Sequence, residues 1–240
     1  MKCIYLIMIA LLLLVSTDGY SSPKEESAFG ISVPSYKIHG IDVSGYQEKI
    51  NWKEISGLKS GKKKIGITFA FVKATEGQTF KDKYFDHNWR ETKKHKIIRG
   101  AYHYYKPNVN SKLQAANFIR CVKLEKGDMP PVLDIEEVGK YGSSNMKRGV
   151  INYLKLLEKH YGIKPIIYTN IHFYRTYLSG YEFKKYDFWI ANYSKIIPKT
   201  GKNWLFWQYS DKGIIRNIRS KVAFNVYFGT KENLLRICKK

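Results

Sequence analysis

From residue 35 onward, short apolar runs alternate with longer polar stretches whose apolar positions recur at helical spacing. Residues 38–44 predict a first strand, carrying Asp42 just before the turn at Gly45, and 47–57 follow with Trp52 and Ile55 on one helical face. A second strand, 66–74, precedes a polar segment, 82–96, in which Tyr84, Phe85, Asn88, Trp89 and Thr92 recur with a period near 3.6. The third strand is 98–104, ended by Pro107. Residues 111–123 predict a helix with Ser111 as N-cap and Leu113, Ala116, Phe118 and Cys121 as apolar positions. A fourth strand, 130–137, leads to a helix over 144–161 closed by Gly162. A fifth strand, 164–169, and a short helix near 173–178 follow. The remainder predicts strands at 187–192, 204–210 and 221–228, with no room for full helices between them.

Eight strands, the first five separated by helices, predict an α/β fold: an irregular TIM-like barrel of five βα units followed by three strands. An open doubly wound sheet is the alternative. In a barrel the chemistry gathers at the C-terminal ends of the strands. Asp42, Asp134 and Glu136 fall there, together with Tyr102, Tyr104, Tyr168, Trp189, Tyr193 and Gln208. Carboxylates among aromatic rings suit a sugar site, where ring faces stack and acids move protons.

The fourth strand carries the sharpest chemistry. In Val132-Leu133-Asp134-Ile135-Glu136, alternation puts Val132, Asp134 and Glu136 on one face and Leu133 and Ile135 on the other. Two acids on one face of a buried strand are costly to hold ionised together, so one tends to keep its proton near neutrality. The plainer alternative is an acidic loop with both groups solvated.

Composition narrows the setting. The chain has 240 residues, 44% of them hydrophobic and 15% aromatic, which suits a globular domain with a sizeable core. Residues 1–19 read as a signal peptide: Lys2, an unbroken apolar run from Ile4 to Val15, then small residues. That run is too short to span a bilayer, so export without stable membrane insertion is expected. Residues 20–36 are expected to be a flexible lead and 37–240 a single catalytic domain. Cys3 leaves with the signal, and Cys121 and Cys238 could then pair. The formal charge of +22 favours a polyanionic partner such as an acidic cell wall. The lysines are dispersed (Lys62 to Lys64, Lys93 and Lys94, Lys184 and Lys185), which argues against a nucleic-acid footprint.

Other polar residues have structural readings. Lys73 and Glu76 suit an ion pair at the end of the second strand, Glu137 points away from the acid face, and His103 alternates out of phase with Tyr102 and Tyr104. No His, Cys or Asp cluster has metal-ligand spacing, Ser44 and Ser210 lack a base in sequence, and no glycine-rich phosphate loop follows a strand.

Seven segments in order carry a family resemblance: Gly40-Ile41-Asp42-Val43-Ser44, Phe71-Val72-Lys73-Ala74-Thr75-Glu76-Gly77, Gly100-Ala101-Tyr102-His103-Tyr104, Val132-Leu133-Asp134-Ile135-Glu136, Ile167-Tyr168-Thr169, Trp189-Ile190-Ala191-Asn192-Tyr193 and Trp207-Gln208-Tyr209-Ser210. Over residues 38–229 the chain resembles the glycoside hydrolase family 25 lysozymes, the Chalaropsis-type muramidases. The resemblance implies cleavage of the β-1,4 bond between N-acetylmuramic acid and N-acetylglucosamine in peptidoglycan, without metal or organic cofactor. It implies Glu136 as proton donor, Asp134 as the acid that orients the acetamido group or stabilises charge, and Asp42 as a further site acid. The signal peptide implies an extracellular or periplasmic location, and a monomer acting on glycan strands is expected. The family's last segment, Asp-x-Asn-x-Phe, here reads Ala223-Phe224-Asn225-Val226-Tyr227, so one acid is missing. A chitinase-like glycosidase, or a wall-binding protein without turnover, remain the alternatives.

Overall fold

Alternation of inward and outward side chains along eight strands closes a barrel. The computed structural model describes residues 26–194, 196–200 and 204–240, so the signal-peptide reading for 1–19 lies outside the described residues. In chain order the elements are β1 (Glu26–Ala28), β2 (Ile31–Val33), β3 (Ile38–Val43), α1 (Trp52–Gly57), β4 (Ile67–Glu76), β5 (Phe80–Lys81), α2 (Phe85–Lys94), β6 (Ile98–Tyr104), α3 (Ser111–Cys121), β7 (Val132–Asp134), α4 (Gly142–Tyr161), β8 (Ile166–Asn170), α5 (Ile171–Phe173), β9 (Asp187–Ala191), β10 (Phe206–Gly213), β11 (Val222–Tyr227) and α6 (Lys231–Ile237). The barrel runs β3-β4-β6-β7-β8-β9-β10-β11 and closes by pairing β11 with β3. Every neighbouring pair is parallel except those of β11, which is antiparallel to both β10 and β3. Closure excludes the open doubly wound sheet.

Large and small residues alternate across the barrel interior. Phe69 and Phe71 point inward from β4, and Phe71 stacks on Trp189 with ring centroids 4.3 Å apart. Their neighbours supply room: a Cβ at Gly40 would lie 2.4 Å from the Phe69 ring, and one at Gly100 would lie 2.6 Å from Phe71. Outside, α3 and α4 bury Phe118, Val150, Tyr153, Leu154 and Leu157 against the outer faces of the strands. Because this outer layer is apolar where it meets the sheet, the strands are buried on both sides. That explains their nearly continuous hydrophobic sequence.

Several expectations change. Asn110, not Ser111, caps α3: its side chain accepts from the N–H groups of Lys112 (2.8 Å) and Leu113 (3.4 Å). Leu113 is consequently on the solvent side. Within the lead expected over 20–36, residues 26–33 form a β1–β2 hairpin whose Ala28, Phe29 and Val33 are buried against the barrel. Cys121 and Cys238 are free thiols; Cys238 instead donates to the carbonyl of Leu234 within the C-terminal turn. Gly162 does end α4, at φ +70°, the left-handed conformation that suits glycine. Among the described residues, no helix is long and apolar enough to cross a membrane.

Candidate active site

The inward positions at the C-terminal ends of the strands converge on one polar mouth. Strand pairing places Asp42 opposite Ala223 on β11, and Asp134 beside Tyr104 on β6 and Tyr168 on β8. β7 ends at Asp134, so Glu136 sits just past the strand. The peptide keeps its direction there, because the N–H of Ile135 donates to the carbonyl of Tyr168 at 3.0 Å. Asp134 is therefore buried at the floor while Glu136 stands at the solvent-facing rim.

A side-chain network fixes Asp42. Its Oδ1 accepts from Gln208 Nε2 at 2.8 Å and from Asn225 Nδ2 at 2.7 Å. Each amide is itself held: Gln208 Oε1 accepts from the hydroxyls of Tyr168 (2.9 Å) and Tyr193 (2.7 Å), and Asn225 Oδ1 from Trp189 Nε1 (2.7 Å). Such satisfied buried networks lock rotamers and hold a charge in one place. Burial nevertheless raises the Asp42 pKa from 3.8 to about 6, offset by the two amides and reinforced by the nearby charge of Glu136. Because the folded pKa exceeds the unfolded one, the stability Asp42 contributes is lost as pH rises from 3.8 through about 6.

The two acids of the fourth strand also titrate high. Asp134 is raised well above the ordinary carboxylate range, first by burial and then by the charge of Glu136; Lys73 opposes the shift. Glu136 is raised by burial, and the hydrogen bond from Asp134 limits the rise. Both pKa values are raised, so the two acids titrate as a coupled pair and keep a proton between them to higher pH than separate carboxyl groups would. Asp134 Oδ1 is buried without a hydrogen-bond partner among the described residues. A buried acceptor left in this state costs about 1–3 kcal/mol.

The sequence-selected aromatics divide into two groups. Trp189 is only 2% exposed, sandwiched by Phe71 and Tyr168, so it supports the floor and offers no ring face to a sugar. Gln208 likewise spends its polar atoms inside the protein. Tyr102 and Tyr168 are nearly buried, and their hydroxyls are pushed well above the usual phenol range by burial and then the site acids, so both stay protonated as donors. Tyr104 and Tyr193 are the accessible members, at the rim. Burial pushes Tyr104 up to about 12, and the ammonium groups of Lys106 and Lys73 lie 4.6 and 5.2 Å from its ring centroid.

Asn225 and Lys73 lie at the site although the sequence reading named neither as a site residue and gave Lys73 only a structural ion pair. Asn225 could be found from its place in the family segment, whereas Lys73 acts on Asp134 through its charge from β4, two strands away. Lys73 also forms the expected ion pair with Glu76 (2.8 Å), and Lys106 holds Glu137 (3.7 Å) away from the acid pair. His103 is buried outside the mouth, between Thr75 Oγ1 (2.7 Å) and Gln114 Oε1 (3.2 Å), and burial lowers it to about 4. It is a packed neutral histidine. No cluster of His, Cys, Asp or Glu among the described residues could hold a metal ion.

The missing acid also has a definite place. Ala223 lies directly across from Asp42 and on the same side as Asn225, half-buried at the mouth. Directly opposite side chains sit about 4.5–5.5 Å apart at Cβ, close enough for like charges to repel. Ala223→Asp should therefore move the alkaline limb of the pH–rate profile to higher pH, because the added charge keeps the neighbouring acids protonated longer. A profile identical to that of the parent chain would show that position 223 is not coupled to the acids.

A closed barrel with carboxyl groups and tyrosines at its C-terminal mouth is an architecture suited to glycoside hydrolysis. Comparison with known proteins agrees. The profile of the glycosyl hydrolases family 25 matches residues 41–218. An uncharacterized protein, YegX, of Escherichia coli K12 is 44% identical over 218 residues, which cover 90% of this chain and 78% of that protein. Lysozyme M1 of Streptomyces globisporus is 31% identical over 235 residues, covering 92% and 77%. A solved family 25 glycosyl hydrolase from Bacillus anthracis superposes with a TM-score of 0.74 at 33% identity, over 84% of this chain and 93% of that one. The chain belongs to glycosyl hydrolase family 25. It is a glycoside hydrolase of the lysozyme type.

Proposed function

We propose that the protein is an N-acetylmuramidase that hydrolyses the β-1,4 bond between N-acetylmuramic acid and N-acetylglucosamine in peptidoglycan, with Glu136 as general acid and Asp134 assisting. The observation that supports this reading is the asymmetry of the acid pair: a buried Asp134 with a partnerless oxygen, next to a rim carboxyl at Glu136. An acetamido N–H of the substrate would satisfy that oxygen. It would also favour the ionised form of Asp134, since hydrogen bonding to a charged group stabilises it. With Asp134 ionised the pair's proton sits on Glu136, which protonates the glycosidic oxygen as the bond breaks; a water molecule then bonds to the anomeric carbon and returns a proton to the acid pair. Asp134, now a carboxylate, orients the acetamido group and stabilises the positive charge that develops on the sugar. Asp42 completes the cluster, held by Gln208 and Asn225. Tyr104 and Tyr193 offer ring surface to the glycan.

Release of reducing ends from purified peptidoglycan tests the reading. Preference for chitin oligomers would favour a chitinase-like enzyme, and wall binding without reducing ends a protein that has lost turnover. The chain is expected to be exported and to act as a monomer. Its charge of +22 suits an anionic wall. If that charge recruits the enzyme, activity on intact walls should fall steeply between about 0.1 and 1 M salt, as the Debye length shrinks from about 10 to about 3 Å. Activity on short uncharged glycans should barely change. Equal sensitivity on both substrates would remove the lysines from the functional account.

A further inference from the structure

The β1–β2 hairpin precedes the family-matched segment, which begins at residue 41, yet it is built into the flank of the barrel. The Phe29 ring lies 4.8 Å from that of Phe224, Val33 is fully buried, and the N–H of Ile214 donates to the carbonyl of Phe29 at 2.8 Å. Between this hairpin, β10 and the chain after β9 lies a cavity of about 280 Å³. Ser32 and Pro34 wall it on the hairpin side, and Tyr193, Trp207, Ser210 and Lys212 on the barrel side.

Tyr193 connects this cavity to the active site. Its hydroxyl reaches Gln208, which in turn holds Asp42, while 52% of the residue remains exposed. Tyr193 thus borders both the cavity and the network that holds Asp42. Among the described residues the cavity's lining combines an accessible aromatic ring with serine hydroxyls and one cation, Lys212. A neutral, hydroxyl-bearing ring ligand matches that lining. A stem peptide, with its carboxylates, would meet one lysine among the described lining residues. We infer that the hairpin builds a remote saccharide subsite, which holds the glycan strand beyond the two sugars at the cleaved bond. The inference rests on the muramidase reading.

Kinetics on peptide-free glycan strands of different length test it. Ser32→Trp fills the cavity from the hairpin side without touching the acids. It should raise KM on long strands about five- to tenfold, the loss of one or two hydrogen bonds or a ring contact. Its kcat, and both constants on a tetrasaccharide, should stay at wild-type values, and Ser32→Ala should lie close to wild type. A length-independent effect, or none, overturns the subsite. So does an effect seen on peptide-bearing strands alone, which would assign the cavity to the stem peptide. Should Ser32→Trp fail to fold, Lys212→Ala decides by the same length dependence with the hairpin intact. A wild-type protein that releases no reducing ends from peptidoglycan overturns the muramidase reading, and the subsite with it.

Discussion

Glu136→Gln should lower turnover about 10²–10⁴-fold, the usual contribution of a positioned general acid, while wall binding and folding persist. Glutamine keeps the size and one carbonyl acceptor of glutamate but has no proton to give at the glycosidic oxygen. Glu136 stands at the rim and not in the packed interior, so the exchange strands no buried group. The change also removes a charge that raises Asp42 and Asp134. Both should then ionise at lower pH, which makes the variant, if anything, more stable near neutrality. Reducing-end release, co-sedimentation with walls and a thermal melt separate these effects. Near wild-type turnover would show that another group delivers the proton.

Asp134→Asn should cost about 10²–10³-fold in kcat, with a smaller change in KM, since its charge matters most when the sugar becomes cationic. The amide still fills the floor and can donate to Glu136, but it can neither hold the shared proton nor become an anion. The pH profile carries the finer test. In the parent chain the last proton leaves a like-charged pair, which raises the upper apparent pKa. With asparagine beside it, Glu136 loses its proton against no neighbouring carboxylate at position 134, so the alkaline limb should move to lower pH. An unmoved limb would mean that the two acids titrate independently. A large rise in KM with kcat intact would instead make Asp134 a ground-state binding residue.

The sequence by itself determined the barrel, the strands that line it and the acids at its mouth. Strands buried on both faces leave continuous apolar runs, and helices leave a 3.6-residue period, so both are local signals. Asp42, Asp134 and Glu136 were legible because strand ends in a barrel meet at one rim, whatever the intervening loops do. The tertiary structure decided what no local pattern encodes. Trp189 had the composition of a sugar platform, but packing between Phe71 and Tyr168 makes it part of the floor. Leu113 looked apolar-facing until Asn110 set the start and rotation of α3. The hairpin at 26–33 read as a polar lead because its buried side chains are few and their partners, such as Phe224, lie nearly two hundred residues away. The different depths of the two acids were likewise beyond the sequence. Alternation puts two acids on one face, but β7 ends between them, so that one is buried and the other is at the rim. Desolvation acts through three-dimensional depth, and depth is a property of the whole packed barrel.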